Sequence, residues 1–299
     1  CVFEQSGYGS NWAQGYGTQA LAAAALERVR QQANFVSALR SLVVVHSSAG
    51  GTGGGVGSRV VEQLREVYPG VNLVSVSVLP ATSGENAMQA FNVLCTAAHA
   101  WDAADAALIF DNDVLLGAAQ LSFDQANKSI ANVLSTLVTS KAEFPGELIT
   151  SICPSPTHKL ITAAFGAPSP ARSGARSTDW SPSMSPMLQR LPPKADRGLR
   201  GVISAQLHLR GQPDQGTGPP LADVKSGLLR QLGGGVSWNS FHVDAVTGPA
   251  LQLTGGAQSV ACVVNWKHSG RRLGGLLRQG EEKYRRGLYV HAWERLGFG

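Results

Sequence analysis

The chain has 299 residues, of which 43% are hydrophobic and 15% are charged, with a net charge of +5 at pH 7. This balance predicts a folded protein with a sizeable core, in one large or two ordinary domains, and excludes a disordered chain. The charge is too mild to indicate DNA or RNA binding, and no apolar run is long enough for membrane insertion. Four widely spaced cysteines without a CxxC pair predict reduced core residues of an intracellular protein.

The first half of the chain alternates strands and helices, which predicts a parallel sheet. A glycine turn at residues 7–13 precedes an alanine-rich helix at 18–38. A β-branched strand at 42–46 leads into the glycine cluster SSAGGTGGGVG at 47–57, and a helix follows at 59–67. Glycines at a helix N-terminus let backbone N–H groups face an anion, so the cluster predicts a phosphate cradle that the first glycine turn completes. The alternative is a tight flexible turn, because the cluster lacks both the lysine of a Walker loop and a strict dinucleotide spacing.

The next elements place polar loops at the carboxyl ends of strands, where open α/β sheets bind ligands. Strands are predicted at 71–79 and 106–110, on either side of a helix at 86–101. Polar loops follow these strands at 80–85 and 111–113. The two aspartates of the second loop are consistent with a metal site or with capping of the next turn.

A long helix from residue 122 to about residue 140 joins two predicted domains. It ends before the stop signal FPG at 144–146, beyond which proline and arginine are more frequent. The first domain is therefore placed at 1–143 and a smaller α/β domain at 144–299. Residues 168–193 are predicted to be a mobile surface loop. The other predicted elements of the second domain are strands at 201–210, 241–246 and 260–266 and a helix at 281–295.

Four motifs in this order resemble those of the tubulin family. Residues 49–55 (AGGTGGG) are similar to the tubulin signature GGGTGSG, and residues 7–15 (GYGSNWAQG) are similar to the phosphate loop GAGNNWAKG. Residues 111–113 (DND) resemble the family's DNE, and residues 144–146 match its FPG. Within the family the likeness is greatest to the delta type, with the epsilon and gamma types as neighbours. It rests on the run after residue 146 and on two triplets, Ser83-Gly84-Glu85 and Ser122-Phe123-Asp124.

The resemblance implies a fold and a set of cofactors. The fold is α/β, with a Rossmann-like parallel-sheet GTP-binding domain, a long core helix and a second, smaller α/β domain. The cofactors are GTP or GDP and Mg²⁺, and the resemblance places the Mg²⁺ loop upstream of residue 1. No metal ligand is therefore assigned within the chain. We also expect the chain to be a fragment without the family's N-terminal part and its C-terminal helical hairpin.

The resemblance assigns the phosphate and sugar contacts to two loops and the segment after them. Gly9 and Ser10 would approach the outer phosphate. Glu85 would reach the ribose hydroxyls, and Gln89 stands where a second ribose-side acid is common. Backbone N–H groups and one hydroxyl would wrap the phosphates, from Gly50, Gly51, Thr52, Gly53 and Gly54.

For the base, the resemblance points to two amides and one aromatic ring. Asn112 and Asn127 would hydrogen-bond the guanine edge, because an amide has both a donor and an acceptor. Phe123 would stack on the base. Phe123 and Asn127 are four residues apart, so they lie on one face of a helix. The alternatives are that Phe123 is a core aromatic, that Asn112 is a turn residue and that Asn127 is a solvent-facing amide of the helix.

As a function, the resemblance implies a GTP-binding cytoskeletal subunit of centriole and basal-body microtubules that acts in cilium formation. Its partners would be other tubulin subunits and microtubule or centriole components. The locations implied are the cytoplasm and cytoskeleton, the centriole, basal body and cilium, with the nucleus as a further one. The alternatives are an epsilon- or gamma-type tubulin, a tubulin-like scaffold without nucleotide turnover, and an autonomous hydrolase or dehydrogenase. Against the last, the sequence has no Ser–His–Asp pattern, no HExxH and no phosphate-loop lysine.

Any GTPase activity is expected to be weak and to depend on a neighbouring subunit. In tubulin polymers, the resemblance implies that an acid after the core helix activates water in the neighbour's site. No catalytic residue is assigned here, and Glu147 is a weak candidate because it is the one carboxylate in that loop. Capping of the following helix turn is the preferred interpretation of Glu147.

Overall fold

The computed structural model describes residues 7–84, 86–116, 122–139, 144–167, 180–191, 201–211, 221–232, 236, 238–239, 243–251, 254 and 258–297. Contacts divide the chain into two compact units. Unit 1 comprises Cys1–Asp113 and Gly270–Gly299, and unit 2 comprises Val114–Ser269. This division differs from the predicted boundary after residue 143, since the segment from Gly270 onward groups with unit 1. The predicted domain boundaries stay predictions.

Unit 1 contains a parallel sheet of three strands, β1 (Ser41–Ser47), β2 (Asn72–Leu79) and β3 (Ala106–Asp111). Strand β2 is central and pairs in parallel with both of the others. Most of β2 is buried, as expected for a strand that is covered on both faces. This confirms the parallel sheet that the alternation of elements predicts.

The helices of unit 1 connect these strands and support their carboxyl ends. Wide π-type turns lie at Gly51–Val56, before α3 (Gly57–Val67), and at Ala97–Trp101, after α4 (Gln89–Thr96). Near the end of the chain, helix α10 (Lys267–Arg285) follows the last strand directly, and its residues from Gly270 belong to unit 1. The helices are α1 (Trp12–Gly17), α2 (Gln19–Ala33), α3 (Gly57–Val67), α4 (Gln89–Thr96), α10 (Lys267–Arg285) and α11 (His291–Glu294), together with α5 (Asn112–Leu116), which begins at the end of β3.

Unit 2 contains the strands β4 (Leu160–Gly166), β5 (Val202–Arg210), β6 (Val243–Gly248) and β7 (Ser259–Trp266), in the order β4-β7-β5-β6. Strand β7 is antiparallel to β4 and β5, whereas β6 is parallel to β5. The helices are α6 (Phe123–Val138), α7 (Gly146–Ile152), α8 (Ser181–Gln189) and α9 (Leu221–Leu232). Together the two units confirm the predicted α/β fold class.

The core helix α6 follows the sequence prediction closely. Ser122 caps its N-terminus and exchanges hydrogen bonds with Gln125, which forms a capping box. The buried residues Ile130, Val133 and Leu137 lie on one face of α6. That face packs within unit 2, where α6 contacts β4 and β5. The local signals at both ends of this helix were therefore sufficient to predict it.

Three predictions of local structure are corrected. The glycine cluster is helical from Gly51 rather than from residue 59. The DND segment is not an open loop, because Asp111 ends β3 and Asn112 begins α5. The predicted helix at 281–295 is instead the end of α10, which begins at Lys267, followed by the short α11.

The predicted mobile loop at 168–193 is also corrected for the part that the structure describes. Residues 181–189 form helix α8, and Met187 is fully buried in the core of unit 2. Trp180 and Leu191 flank the helix and belong to the same hydrophobic cluster. Pro182 lies in the first turn of α8, where a missing N–H costs little, whereas Pro186 lies inside the helix. The buried apolar residues therefore outweigh the cost of Pro186.

Two further predictions concern cysteines and membranes. Cys95, Cys153 and Cys262 are free thiols, and burial raises the pKa of Cys262 to about 12. Cys1 lies outside the described residues. Among the described helices, none combines the length and apolar character that a membrane span requires.

Candidate functional site

Glycine loop 1, residues 8–11, makes a tight left-handed turn before α1. Gly9 and Ser10 both have positive φ angles, of 54° and 53°, and both are exposed. The Asn11 N–H donates to the Tyr8 carbonyl at 2.9 Å, and the Asn11 side chain accepts from the Ala13 N–H at 3.0 Å. The turn is therefore closed by its own hydrogen bonds and by the N-cap of α1. Its two central residues face solvent.

Glycine loop 2, residues 48–54, forms the N-terminus of a helix without a side-chain cap. Gly50 is extended and has no side chain to offer, and the first hydrogen bond of the turn runs from the Gly54 N–H to the Gly50 carbonyl at 3.2 Å. The N–H groups of Gly51, Thr52 and Gly53 are in the first turn, so the helix itself has no preceding carbonyl that could accept from them. They lie at the positive end of the helix dipole, which is the arrangement that binds anions.

Several glycines allow the two loops to pack against each other. A Cβ at Gly15 would overlap the Gly51 carbonyl oxygen and lie 2.7 Å from its carbon. A Cβ at Gly51 would lie 2.6 Å from the Tyr8 Cβ, and one at Gly55 would overlap the Trp12 carbonyl oxygen. Glycine is therefore required at these positions by the close approach of α1 to loop 2. Gly15 and Gly55 were not among the predicted site residues.

His46, on strand β1, holds loop 2 in place through a hydrogen bond to Gly53. Its side chain is buried, with Nδ1 2.9 Å from the Gly53 carbonyl and Nε2 2.8 Å from Ser75 Oγ and 3.1 Å from Ser77 Oγ. Burial lowers the pKa of His46, so the ring is neutral near pH 7. Nδ1–H then donates to Gly53, and Nε2 accepts from the serine hydroxyls.

Arg272 on α10 joins the loops that follow β2 and β3. Its guanidinium donates to Asp111 Oδ2 at 2.9 Å and to the Pro80 carbonyl at 2.7 Å, and it lies 3.3 Å from Asp113 Oδ2. Asp113 also accepts from the Thr82 N–H at 2.9 Å. Burial raises the pKa of Asp111, and the charge of Arg272 opposes that shift. Sequence reasoning missed Arg272, because nothing in the local pattern links it to residues 161 positions away.

The metal alternative for Asp111 and Asp113 is not favoured by this arrangement. Both carboxylates already pair with the guanidinium of Arg272, whose side chain is 14% exposed. The Asp113 N–H donates to Asp111 Oδ1 at 2.9 Å, in keeping with the capping interpretation. Within the described part of the chain, no three His, Cys, Asp or Glu residues are grouped closely enough to hold a metal ion.

The predicted ribose side is described in part. Glu85 lies outside the described residues. Gln89 is buried and donates from Nε2 to the Ala81 carbonyl at 3.1 Å. Next to this segment, unit 1 has a polar open cavity of 610 Å³ with mixed charge, lined among others by Thr82, Asn86, Gln89, Glu282, Lys283 and Arg286.

The predicted base-side residues occupy different environments. Asn112 is buried, with 7% of its surface exposed, and is the first residue of α5 in unit 1. Phe123 and Asn127 lie one turn apart on α6 in unit 2, and both are exposed. Phe123 has 62% of its surface exposed, which excludes the core-aromatic alternative. The structure thus brings together the phosphate-side residues, while the roles assigned to all these positions stay predictions.

Glu147 is exposed in the first turn of α7. The N-cap residue is Pro145, which makes no side-chain cap. A carboxylate at this position interacts favourably with the helix dipole, so the location is consistent with the capping interpretation.

Comparison with known proteins gives one family for the first part of the chain. Residues 1–120 match the model described as Tubulin/FtsZ family, GTPase domain. The chain is 33% identical over 157 residues to the tubulin beta-1 chain of Chondrus crispus, and 35% identical over 153 residues to the tubulin beta-2 chain of Suillus bovinus. These alignments cover 49% and 48% of this chain and 34% of each relative. The chain therefore spans about a third of the length of the curated relatives it matches.

Proposed function

We propose that the chain is a member of the tubulin family, whose GTPase-domain model matches residues 1–120, and that it binds GTP and GDP as a cytoskeletal subunit. The observation that carries this proposal is the pairing of two glycine loops in unit 1. Loop 2 supplies three N–H groups at a helix N-terminus, and the exposed turn of loop 1 lies against it. This geometry suits a chain of phosphates better than a single anion.

The charge of the two loops defines how phosphate would be held. Neither loop contains a lysine or an arginine. Binding would therefore rely on the N–H groups of Gly50, Gly51, Thr52 and Gly53, on the Thr52 hydroxyl and on the helix dipole. Mg²⁺ is part of this proposal, but Asp111 and Asp113 do not fit as its ligands, because both are paired with Arg272.

On the base side, the proposal assigns guanine recognition to Asn112, Asn127 and Phe123. Phe123 and Asn127 are one turn apart on α6 and both are exposed, so a base could reach both side chains, which supports a role in binding. The amide can match the mixed donor and acceptor pattern of guanine. The aromatic ring can cover the face of the base. Glu85 is the proposed ribose contact.

The finer assignment in our proposal is a delta-type tubulin that assembles with other tubulin subunits in centriole and basal-body microtubules of a ciliated cell. The triplets Ser83-Gly84-Glu85 and Ser122-Phe123-Asp124 support it. The epsilon and gamma types are the alternatives within the family. A scaffold that has lost nucleotide turnover is the alternative function, and the relatives named above, which are beta chains, leave the subtype open.

The test is to identify the nucleotide that the purified protein carries. The protein is denatured and the released nucleotide is separated and quantified. We expect close to one guanine nucleotide per chain, and we expect GTP but not ATP to displace a fluorescent GTP analogue. The variant Thr52→Val should lower the amount bound, whereas Thr157→Val, at an exposed position of unit 2, should not. Absence of nucleotide with no GTP binding would support the scaffold, and equal binding of ATP would contradict the guanine assignment.

A further inference from the structure

Asn92 on α4 bridges the two glycine loops through one fully buried side chain. Its Nδ2 group donates to the Ser10 carbonyl of loop 1 at 2.7 Å and to the Ala49 carbonyl of loop 2 at 2.6 Å. Its Oδ1 accepts from the N–H of Trp12, the first residue of α1, at 3.0 Å. Its exposed fraction is 0%, so water cannot replace these bonds. A single amide therefore fixes both loops and the helix that follows the first of them.

Only an amide of this length satisfies all three partners. The reversed orientation would place Oδ1 against two carbonyl oxygens and the NH₂ group against an N–H, so the partners determine the orientation. Aspartate retains an acceptor for Trp12 but loses both donors. Alanine loses all three interactions. The position thus requires asparagine because of its three hydrogen bonds, whereas an apolar core position requires only a side chain of suitable size and shape.

The bridge also sets the direction of one donor in loop 2. Ala49 accepts a second hydrogen bond, from Asn86 Nδ2 at 2.9 Å. In a planar trans peptide the C=O and the following N–H point in opposite directions. Holding the Ala49 carbonyl toward two amide side chains therefore turns the Gly50 N–H away from them. Gly50 is one of the residues proposed to wrap the phosphates.

We propose that Asn92 is a positioning residue for phosphate recognition: it sets the spacing of the two glycine loops and the direction of the Gly50 N–H. This inference rests on the proposed nucleotide site. Asn92 acts through Ser10 and Ala49 and does not itself contact the ligand. Its removal takes a hydrogen-bond partner from two carbonyls and one N–H, so the loops separate or rotate to reach solvent.

The first test compares nucleotide with nucleoside. Affinities for GTP, GDP and guanosine are measured for the wild-type protein, Asn92→Ala and Asn92→Asp. We expect both variants to bind GTP and GDP roughly 10- to 100-fold more weakly, because buried hydrogen bonds that orient the loops are lost. Guanosine has no phosphates, so its affinity should change by less than about twofold. The matched control is Asn34→Asp, the same change at an exposed residue of unit 1.

The second test uses pH to separate positioning from a general loss of stability. In Asn92→Asp, burial and two nearby carbonyls raise the pKa of the introduced carboxyl group, so lowering the pH protonates it. The protonated acid can donate one hydrogen bond again. Relative to wild type at each pH, Asn92→Asp should therefore regain GTP affinity as the pH falls, while Asn92→Ala should not. Dividing by the wild-type value removes the titration of the nucleotide itself.

Hydrogen exchange of the nucleotide-free protein gives a reading that does not depend on binding. Asn92→Ala should raise exchange in both glycine loops, and Asn34→Asp should raise it in neither. The inference is wrong if the Asn92 variants keep wild-type GTP affinity, or if they lose GTP and guanosine binding by the same factor along with thermal stability. With either outcome, GTP binding by the wild-type protein would still support the proposed function. If the wild-type protein binds no nucleotide, the proposed function and the inference about Asn92 are both wrong.

Discussion

The phosphate-side loops and the base-side residues on α6 are held in opposite ways. In unit 1, the loops are fixed by buried side chains such as His46 and Asn92 and by glycines with no room for a Cβ. In unit 2, Phe123 and Asn127 are exposed on α6 and are not among the buried residues of that helix. In the first region, the contacts that stabilise the fold also shape the proposed site. In the second region, the proposed site residues are exposed, so the fold places few demands on their identity.

This difference separates the effects of substitution. A change in the loops should reduce stability and binding together, because the same contacts serve both. A change at the exposed face of α6 should alter binding alone. Substitutions in each region, with stability and binding measured side by side, test this division.

The largest effect should come from Gly15→Ala. The new Cβ would overlap the Gly51 carbonyl and force α1 away from loop 2. We expect a loss of about 3 kcal/mol in the free energy of unfolding, together with weaker GTP binding. The matched control is Gly17→Ala in the same helix, where a Cβ meets no atom within 4 Å. Equal denaturation midpoints for the two variants would contradict the packing argument.

A smaller effect should follow from Arg272→Met. The change leaves Asp111 and Asp113 without their partly buried cation and should cost about 2 kcal/mol at neutral pH. The control is Arg285→Met, also on α10, whose pair with Glu281 is exposed and should contribute little.

The Arg272 effect should also depend on pH. Burial already raises the pKa of Asp111, and loss of Arg272 raises it further. A raised folded-state pKa favours the protonated carboxyl, so this contribution to stability is present at low pH and is lost as the pH rises through that pKa. Melting temperatures of wild type and Arg272→Met should thus converge near about pH 4 and diverge toward about pH 8. A pH-independent difference would argue against an ionic role.

On the base side, Asn127→Ala should weaken GTP binding about tenfold and leave thermal stability unchanged. The residue is exposed, so its loss opens no cavity. Binding is measured by titration with GTP and with ATP, and the preference for GTP should fall. Asn34→Ala serves as the exposed control in unit 1. A lower melting temperature for Asn127→Ala would show that α6 needs this side chain for folding.

The smallest effect is expected from Glu147→Gln. The side chain is exposed at the start of α7, where a carboxylate contributes about 0.5 kcal/mol through the helix dipole. In co-assembly with a partner tubulin, phosphate release should be slow and unaffected by the change. Fast release that disappears in Glu147→Gln would instead assign Glu147 a catalytic role in the neighbouring site.

Features that depend on neighbouring residues could be predicted from the amino-acid sequence. The β-branched runs specify β1 and β2, and the serine and glutamine of the capping box specify the start of α6. The alternation of strands and helices specifies the parallel sheet. Glycine motifs also pointed to both loops, because conformational freedom and exposed N–H groups are properties of the local chain.

Tertiary structure decided what depends on distant partners. Glycine is a poor helix former, yet Gly51 and Gly55 lie in the helical segment Gly51–Val56, because the backbone of residues 8–16 packs too closely against these two positions for a side chain. Asn92 bonds to Trp12 at the start of α1 from 80 positions away, and Arg272 bonds to Asp111 from 161 positions away, and no local pattern marks either residue. A side chain that is buried against carbonyls of another segment acquires its role only when the chain has folded, which is why these residues could be found only in three dimensions.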